Sequence, residues 1–457
     1  MSVSRRTDLA PSLLTGWGRT APSACWVRTP GGRAELLELL RSRPDRGVVA
    51  RGLGRSYGDP AQNAGGTVLS TAALDRVLEL DPQAATVRVE PGVSLARLVP
   101  ALLDKGWFVP VTPGTRHVSV GGALAADVHG KNHHGDGSIG RHIAGLTLAL
   151  ADGTVREVGP DGADDDRALF WGTLGGMGLT GVVLEATVRV LPVTSPTMLV
   201  RNEPAPDLDA LLAGLDEAER HRYSVAWIDC TGPARRPFRG IVSMGDHADA
   251  ADGVRGARPG RPGARSGARL GVPGHLPSGL LNRGTAKAFN EAWYRAGTLT
   301  RGSRLEPLSR FFYPLDGVAD WNRLYGPNGL VQYQCVVPDE GVLRQVLELL
   351  WSAKAPVLLG VLKRLGAGNP GPLSFAVPGW TLAVDLPAGA DGMTAMLDRV
   401  DDVVAAAGGR VYLAKDSRMR PEHLAAFYPG LDRWHALRDR VDPGRLFRSD
   451  QSRRLGL

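Results

Sequence analysis

The run Arg51-Gly52-Leu53-Gly54-Arg55-Ser56-Tyr57-Gly58-Asp59, directly after the apolar Val48-Val49-Ala50, constrains this chain more than any other stretch. Glycines at this density leave backbone N–H groups uncovered, so a loop can close around an anion where side chains would block the approach. A second such loop, Pro113-Gly114-Thr115-Arg116-His117-Val118-Ser119-Val120-Gly121-Gly122, follows in the same N-terminal third. Either loop alone reads as an ordinary turn. In this order, with His129-Gly130-Lys131-Asn132-His133-His134 behind them, they point to a cradled dinucleotide.

The first loop spaces its glycines as GxGxxxG, one residue off the NAD fingerprint. No long apolar helix starts at it and no acidic residue closes a second strand at the required interval, which disfavours a classical Rossmann domain. No Gly-Lys-Ser/Thr follows a glycine pair, which excludes a Walker loop. What remains is a dinucleotide held by loops.

The 457 residues leave room for two or three domains with sizeable cores. No apolar run approaches the roughly 18 residues of a membrane-spanning helix, and Arg5 and Arg6 precede no apolar stretch, so no secretory leader is expected. Export by another route and peripheral membrane contact stay open. Cys25, Cys230 and Cys335 form no metal spacing and read as idle thiols, and no metal is expected at His133 and His134, which lack carboxylate or cysteine companions. The net charge of +7 is partly local: Arg255, Arg258, Arg261, Arg265 and Arg269 fall in a stretch with no acidic residue. Nucleic-acid binders interleave aromatics with such a patch, and none occurs from Ala248 to Lys287, so no nucleic acid is expected. A loop facing anionic lipid and a merely solvated loop fit equally well.

From residue 34 to about 193 the pattern alternates short helices and strands. A strand at 86–90 leads into an amphipathic helix at 95–104, and Asp152-Gly153 reads as a hairpin between 143–151 and 154–158. A second unit, from 198 to 407, carries strands at 225–228, 330–337, 357–362 and 380–386, with helices over 342–353 and 393–407. The Gly/Pro/Arg tract at 247–283 lacks apolar periodicity and reads as an insertion.

These motifs, with Val89-Glu90-Pro91-Gly92-Val93, resemble the FAD-binding half of the vanillyl-alcohol-oxidase superfamily. Gly16-Trp17-Gly18-Arg19, the 52–59 loop, the 129–134 run and Tyr412-Leu413-Ala414-Lys415-Asp416-Ser417-Arg418 are similar to the flavoprotein oxidases of decaprenylphosphoryl-ribose epimerases, over 14–448. The resemblance implies an α+β, two-domain flavoprotein. A PCMH-type FAD-binding domain would span 1–195, completed by 408–457, and a substrate-binding domain with an antiparallel sheet and flanking helices would span 196–407. It implies oxidation of the ribose C2 hydroxyl of a polyprenyl-phosphoryl pentose to a 2-keto sugar, for actinobacterial cell-wall arabinan. A separate NADH-dependent keto-reductase would be the partner, and the enzyme would sit peripherally on a membrane, on its cytoplasmic or envelope face.

The resemblance also assigns residues. Ala50, Arg51, Gly52, Leu53, Gly54, Arg55, Ser56, Tyr57, Gly58, Asp59, Pro60, Gly114, Ser119, Val120, Gly121, Gly122, His129, Gly130, Lys131, Asn132, Val183 and Tyr412 would surround FAD. Many sugar oxidases of the superfamily tether flavin through a histidine in the first loop; none lies between Arg51 and Asp59, so noncovalent FAD is expected. Lys415 is the expected catalytic cation beside the flavin. His129 either assists removal of the hydroxyl proton or only hydrogen-bonds flavin or substrate. Lys131, Trp227, Tyr313, Gln332, Gln334, Lys363, Thr381 and Ala383 match positions around the substrate; Gln332 and Gln334 also share one strand face by their spacing. Ala383 is a departure, since mycobacterial members carry there the cysteine captured by nitroaromatic inhibitors. Two readings stay beside this one: an oxidase of a soluble sugar or polyol, and a noncatalytic binder of flavin or lipid-linked sugar.

Overall fold

The structure, a computed structural model, describes residues 10–233, 237–249, 270–272, 274–277 and 279–457. Its first sheet has four strands in the order Ser12–Leu14, Ser23–Arg28, Thr67–Ser70, Val48–Arg51. The pairings to Thr67–Ser70 are parallel on both sides. A parallel pair needs a crossover, and helix Arg33–Arg41 supplies one, burying Leu36 and Leu40.

A second, antiparallel sheet runs Val77–Asp81, Thr86–Val89, Val182–Arg189, Ile143–Ala149, Val155–Val158. Its hairpin turns at Asp152-Gly153 as the sequence predicts: Gly153 takes φ +79° and the Asp152 carboxylate accepts from the Thr154 N–H at 2.9 Å.

The largest sheet is antiparallel throughout, in the order Gly302–Pro307, Thr197–Ala205, Gly240–His247, Tyr223–Ile228, Gly360–Leu365, Gly379–Pro387, Leu330–Val337, Arg410–Val411. Helices Leu208–Ala218, Glu340–Ser352 and Met393–Ala406 cover one face. Each buries a stripe at three- and four-residue spacing, for example Leu343, Val346, Leu347 and Leu350. Strand alternation then sends Tyr333 toward the helices, where its hydroxyl donates to Asp401 at 2.9 Å, and leaves Gln332 and Gln334 to the opposite face.

The predicted strand at 330–337 and the helices near 342 and 393 fall where expected. The strand expected at 357–362 is displaced to Gly360–Leu365. Val357 is buried, but as loop after Pro356, so its apolarity reported burial and not pairing. The tract at 247–283 is not wholly irregular: His247 ends a strand, and Leu270–Gly271 pairs in parallel with Val318–Ala319. Its residues 250–269, with all five arginines, lie outside the described residues.

After Arg410–Val411 the chain returns to the first half. Trp434 Nε1 donates to Gly172 O at 3.1 Å, and Val48 bridges Phe447. The short helix Asp450–Leu455 brings Arg454 to within 2.8 Å of both Asp59 and Asp416, and Gln451 Nε2 to 2.8 Å from Leu413 O.

Candidate active site

The first glycine loop leaves the sheet at Arg51, whose guanidinium donates to Ala61 O at 2.9 Å and Thr15 O at 2.8 Å. Three segments meet on it. Trp17 N–H donates to Ser56 O at 2.7 Å, and Tyr57 N–H to Ala414 O at 3.0 Å. A Cβ on Gly58 would lie 1.8 Å from Asp416 O, so only glycine admits that approach. By contrast, the N–H groups of residues 52–56 donate to no described residue. Five consecutive donors left open along a cavity wall suit an anionic ligand. The second loop closes against the first: a Cβ on Gly52 would fall 2.0 Å from Ser119 Oγ, which caps helix Val120–Ala125 by accepting from Gly122 N–H at 3.3 Å.

Between the loops and the free face of the large sheet lies a cavity of about 530 Å³, a size usual for cofactor and substrate sites. Of the residues expected around a dinucleotide, Ala50, Gly52, Leu53, Gly54, Arg55, Ser56, Tyr57 and Pro60 line it from the first loop. Gly114, Ser119, Gly121, Gly122, His129, Val183 and Tyr412 line it from elsewhere. Arg51, Gly58 and Asp59 stand behind the wall and hold the loop. Val120 is in the core, and Gly130 and Asn132 shape the turn after His129, Asn132 Nδ2 donating to Pro110 O at 2.8 Å.

Of the residues expected around a substrate, Gln332, Gln334, Lys363 and Ala383 line the cavity. Trp227, Val361, Ala383 and Gln334 form one cross-strand row, but Trp227 lies behind the wall with its indole N–H buried and unpaired. Tyr313 is turned to Thr112, hydroxyl to hydroxyl at 2.8 Å. Lys131 donates to Phe311 O and sits 4.1 Å over that ring, outside the cavity. Thr381 takes a hydrogen bond from Gln334 Nε2 at 3.0 Å and donates to Cys335 O at 2.8 Å, so it orients the amide from behind.

Lys415 and His129 reach the same end of the cavity. Lys415 follows a tight turn (its N–H donates to Tyr412 O at 2.9 Å), and its amine lies 4.0 Å over the Tyr57 ring and donates to Gln332 Oε1. His129 Nε2 lies 2.9 Å from Gln334 Nε2, the ring between Phe375 and Tyr412. Since an amide nitrogen only donates, His129 Nε2 accepts and the proton is assigned to Nδ1, which is buried without a partner. Burial, then Lys363, His133 and Lys415, hold the imidazole well below its ordinary value, hence neutral. Burial lowers Lys363 to about 8. Burial also lowers Lys415, against the opposing charge of Asp385.

Sequence reasoning missed the cavity mouth. Asp316 Oδ1 accepts from Thr115 Oγ1 at 2.6 Å and Oδ2 from Arg116 N–H at 3.0 Å, which ties 315–321 to the second loop. Nothing in the sequence marks 315–321; only its partners Thr115 and Arg116 stand in a motif. Asp385 was missed as well, one acidic residue in an apolar strand.

The unpaired donors, the glycines that admit no Cβ and the aromatic wall fit FAD. A profile described as FAD binding domain matches residues 26–159, and one described as D-arabinono-1,4-lactone oxidase matches residues 385–455. The protein is an FAD-dependent oxidoreductase with a PCMH-type cofactor domain. Decaprenylphosphoryl-beta-D-ribose oxidase of Mycolicibacterium smegmatis is 39% identical over 451 residues, 97% of either chain. The chain belongs to that oxidase family. An uncharacterized protein in mprA 5'region of Streptomyces coelicolor is 42% identical over 377 residues, 80% of this chain and 100% of its own. Alditol oxidase of a Streptomyces species is 28% identical over 183 residues, 40% of this chain and 42% of that one.

Proposed function

We propose that the protein oxidises the C2 hydroxyl of decaprenylphosphoryl-β-D-ribose, or a related polyprenyl-phosphoryl pentose, to the 2-keto sugar. This is the first half of an epimerisation toward an arabinose donor for cell-wall arabinan. The observation that carries it is one cluster lining the cavity: two strand amides, Gln332 and Gln334, with two lysines, Lys415 and Lys363. Bound FAD supplies the acceptor for the hydride. The chain's residues do the rest. Residues 52–56 would offer their N–H groups to the pyrophosphate, the second loop would brace them through Ser119, and Tyr57 and Tyr412 would flank the ring system. Gln332 and Gln334 orient the sugar, His129 holds the Gln334 amide in place, and Lys415, with its lowered amine, takes the hydroxyl proton.

Lys363 favours the lipid-phosphate substrate over a soluble polyol. Its amine faces the cavity and makes no ion pair with any described residue, as a phosphate oxygen would require. Anaerobic mixing with lipid-linked ribose bleaches the bound flavin in this reading, and free pentitols do not. Bleaching by pentitols alone would favour the polyol oxidase, and no bleaching by either would favour a noncatalytic binder.

The FAD is noncovalent, since the first loop offers no histidine; acid precipitation releases the yellow colour to the supernatant. A separate NADH-dependent reductase completes the epimerisation, because a 2-keto product must be reduced to reach the epimer. The basic residues 255–269 meet an anionic membrane, where a lipid-linked sugar resides. No helix among the described residues is long and apolar enough to cross one. Replacing the five arginines by glutamate lowers binding to anionic vesicles while flavin content stays; unchanged binding would remove this assignment.

A further inference from the structure

Asp385 reaches the lysine end of the cavity only through another side chain. It is 1% exposed on the strand Gly379–Pro387, in register with Gln332 on the neighbouring strand. Its Oδ1 accepts from Gln332 Nε2 at 2.5 Å, and Gln332 Oε1 accepts in turn from the Lys415 amine. Its Oδ2 is buried with no donor in close hydrogen-bond geometry among the described residues, and the Tyr325 hydroxyl facing the carboxylate helps to hold its proton affinity down. The other titratable groups that face it are the phenols of Tyr57, from the first glycine loop, and Tyr325, from the turn Trp321–Tyr325. Lys363 is the further charge felt at Lys415.

An amide has one donating and one accepting end, and either can face an amine. An ionised carboxylate only accepts, so it takes the NH₂ end of Gln332 and leaves the carbonyl to Lys415. A carbonyl in turn suits an amine that donates. Burial raises Asp385 and lowers Lys415, and each works against that by favouring the other's charged form. Asparagine at 385 can offer either end and carries no charge, so the chain of polarity ends there.

We propose that Asp385 is a positioning residue for Lys415: through the fixed amide of Gln332 it strengthens that amine's hold on a proton, without touching substrate or cofactor. The role of Lys415 in turnover is taken from the preceding reading, but its protonation is measurable without substrate. Trace acetylation of the FAD-bound protein with acetic anhydride across a pH series, located by peptide mass spectrometry, gives the titration midpoint of each lysine. In Asp385→Asn the Lys415 midpoint falls by about one pH unit or more, as expected on removing an opposite charge at this range. Asp385→Glu restores it, and the exposed Lys354 keeps its midpoint in every variant. The pH profile of flavin reduction by substrate shifts the same way. Gln332→Met, with Asp385 intact, gives the same acid shift and carries the test if Asp385→Asn does not fold. An unchanged Lys415 midpoint in a folded variant, even one with lowered activity or melting temperature, overturns the proposal. A moved midpoint with an unmoved turnover profile leaves the relay standing and removes Lys415 from the chemistry proposed above.

Discussion

Lys415 lies 4.0 Å over the Tyr57 ring and donates to a strand amide, a position no other described amine shares. Lys415→Met therefore keeps the cavity walls and removes the proton-accepting amine. Flavin content stays near that of the parent and substrate-driven bleaching slows by about 10²- to 10⁴-fold, the range for losing a positioned acid–base group; rapid-mixing absorbance reads both. Ala383 makes a different prediction. It sits between Val361 and Gln334 on the cavity face, so Ala383→Cys points a thiol at the chemistry. The unaltered protein stays free of covalent adduct after turnover with a nitroaromatic inhibitor, and Ala383→Cys gains one, visible as a mass increase of the intact chain. Turnover survives in both, because the oxidation uses no thiol.

At the scale of elements, the site is three adjacent strands, two glycine loops and the turn that carries Lys415. Leu330–Val337 carries both amides, and its period of two sends every other side chain to the helices; a one-residue slip would exchange the faces. The loops depend on close approach. A methyl on Gly52 would meet Ser119 Oγ at 2.0 Å, which pushes the two loops apart. Gly52→Ala accordingly retains FAD at least about tenfold less tightly, ~1.4 kcal/mol, while circular dichroism keeps its shape. This is also where the sequence was most legible. Glycine loops, the Asp152-Gly153 turn and the alternating Gln332 and Gln334 are local signals, readable without knowing what lies opposite. Asp385 was not readable, because its meaning comes from Gln332, which register alone brings across from another strand. The tie from Thr115 and Arg116 to Asp316 joins residues 200 or more apart in sequence, and composition carries no trace of it.

At the scale of the molecule, one apolar core runs from Val87 and Leu148 in the second sheet to Leu347 and Val384 around the large one. Polar groups are inserted where cavity and core meet, with an acid-linked cost. His133 is buried, takes a hydrogen bond from Gly366 N–H at 3.2 Å, and is pushed from 6.5 to about 3, chiefly by desolvation and then by Lys363. The unfolded chain binds that proton first, so stability is lost as pH falls below 6.5 and the loss continues to about 3. Each such histidine adds about 1.4 kcal/mol per pH unit to the slope, and His129 adds in the same sense. Denaturant unfolding at a series of mildly acid pH values shows the decline, and His133→Asn, which can still accept from Gly366, flattens it. An unchanged slope would mean that the imidazole does not enter the fold neutral.

The order in which these contacts become available sets when the enzyme can exist. Arg454 clamps Asp59, at the end of the first loop, to Asp416, next to Lys415, and Gln451 holds the turn between them. A nascent chain that has yet to expose residue 450 can fold its early strands but lacks the clamp, and one that stops short of residue 415 lacks the amine as well. A half-made polypeptide accordingly has no means of oxidising anything.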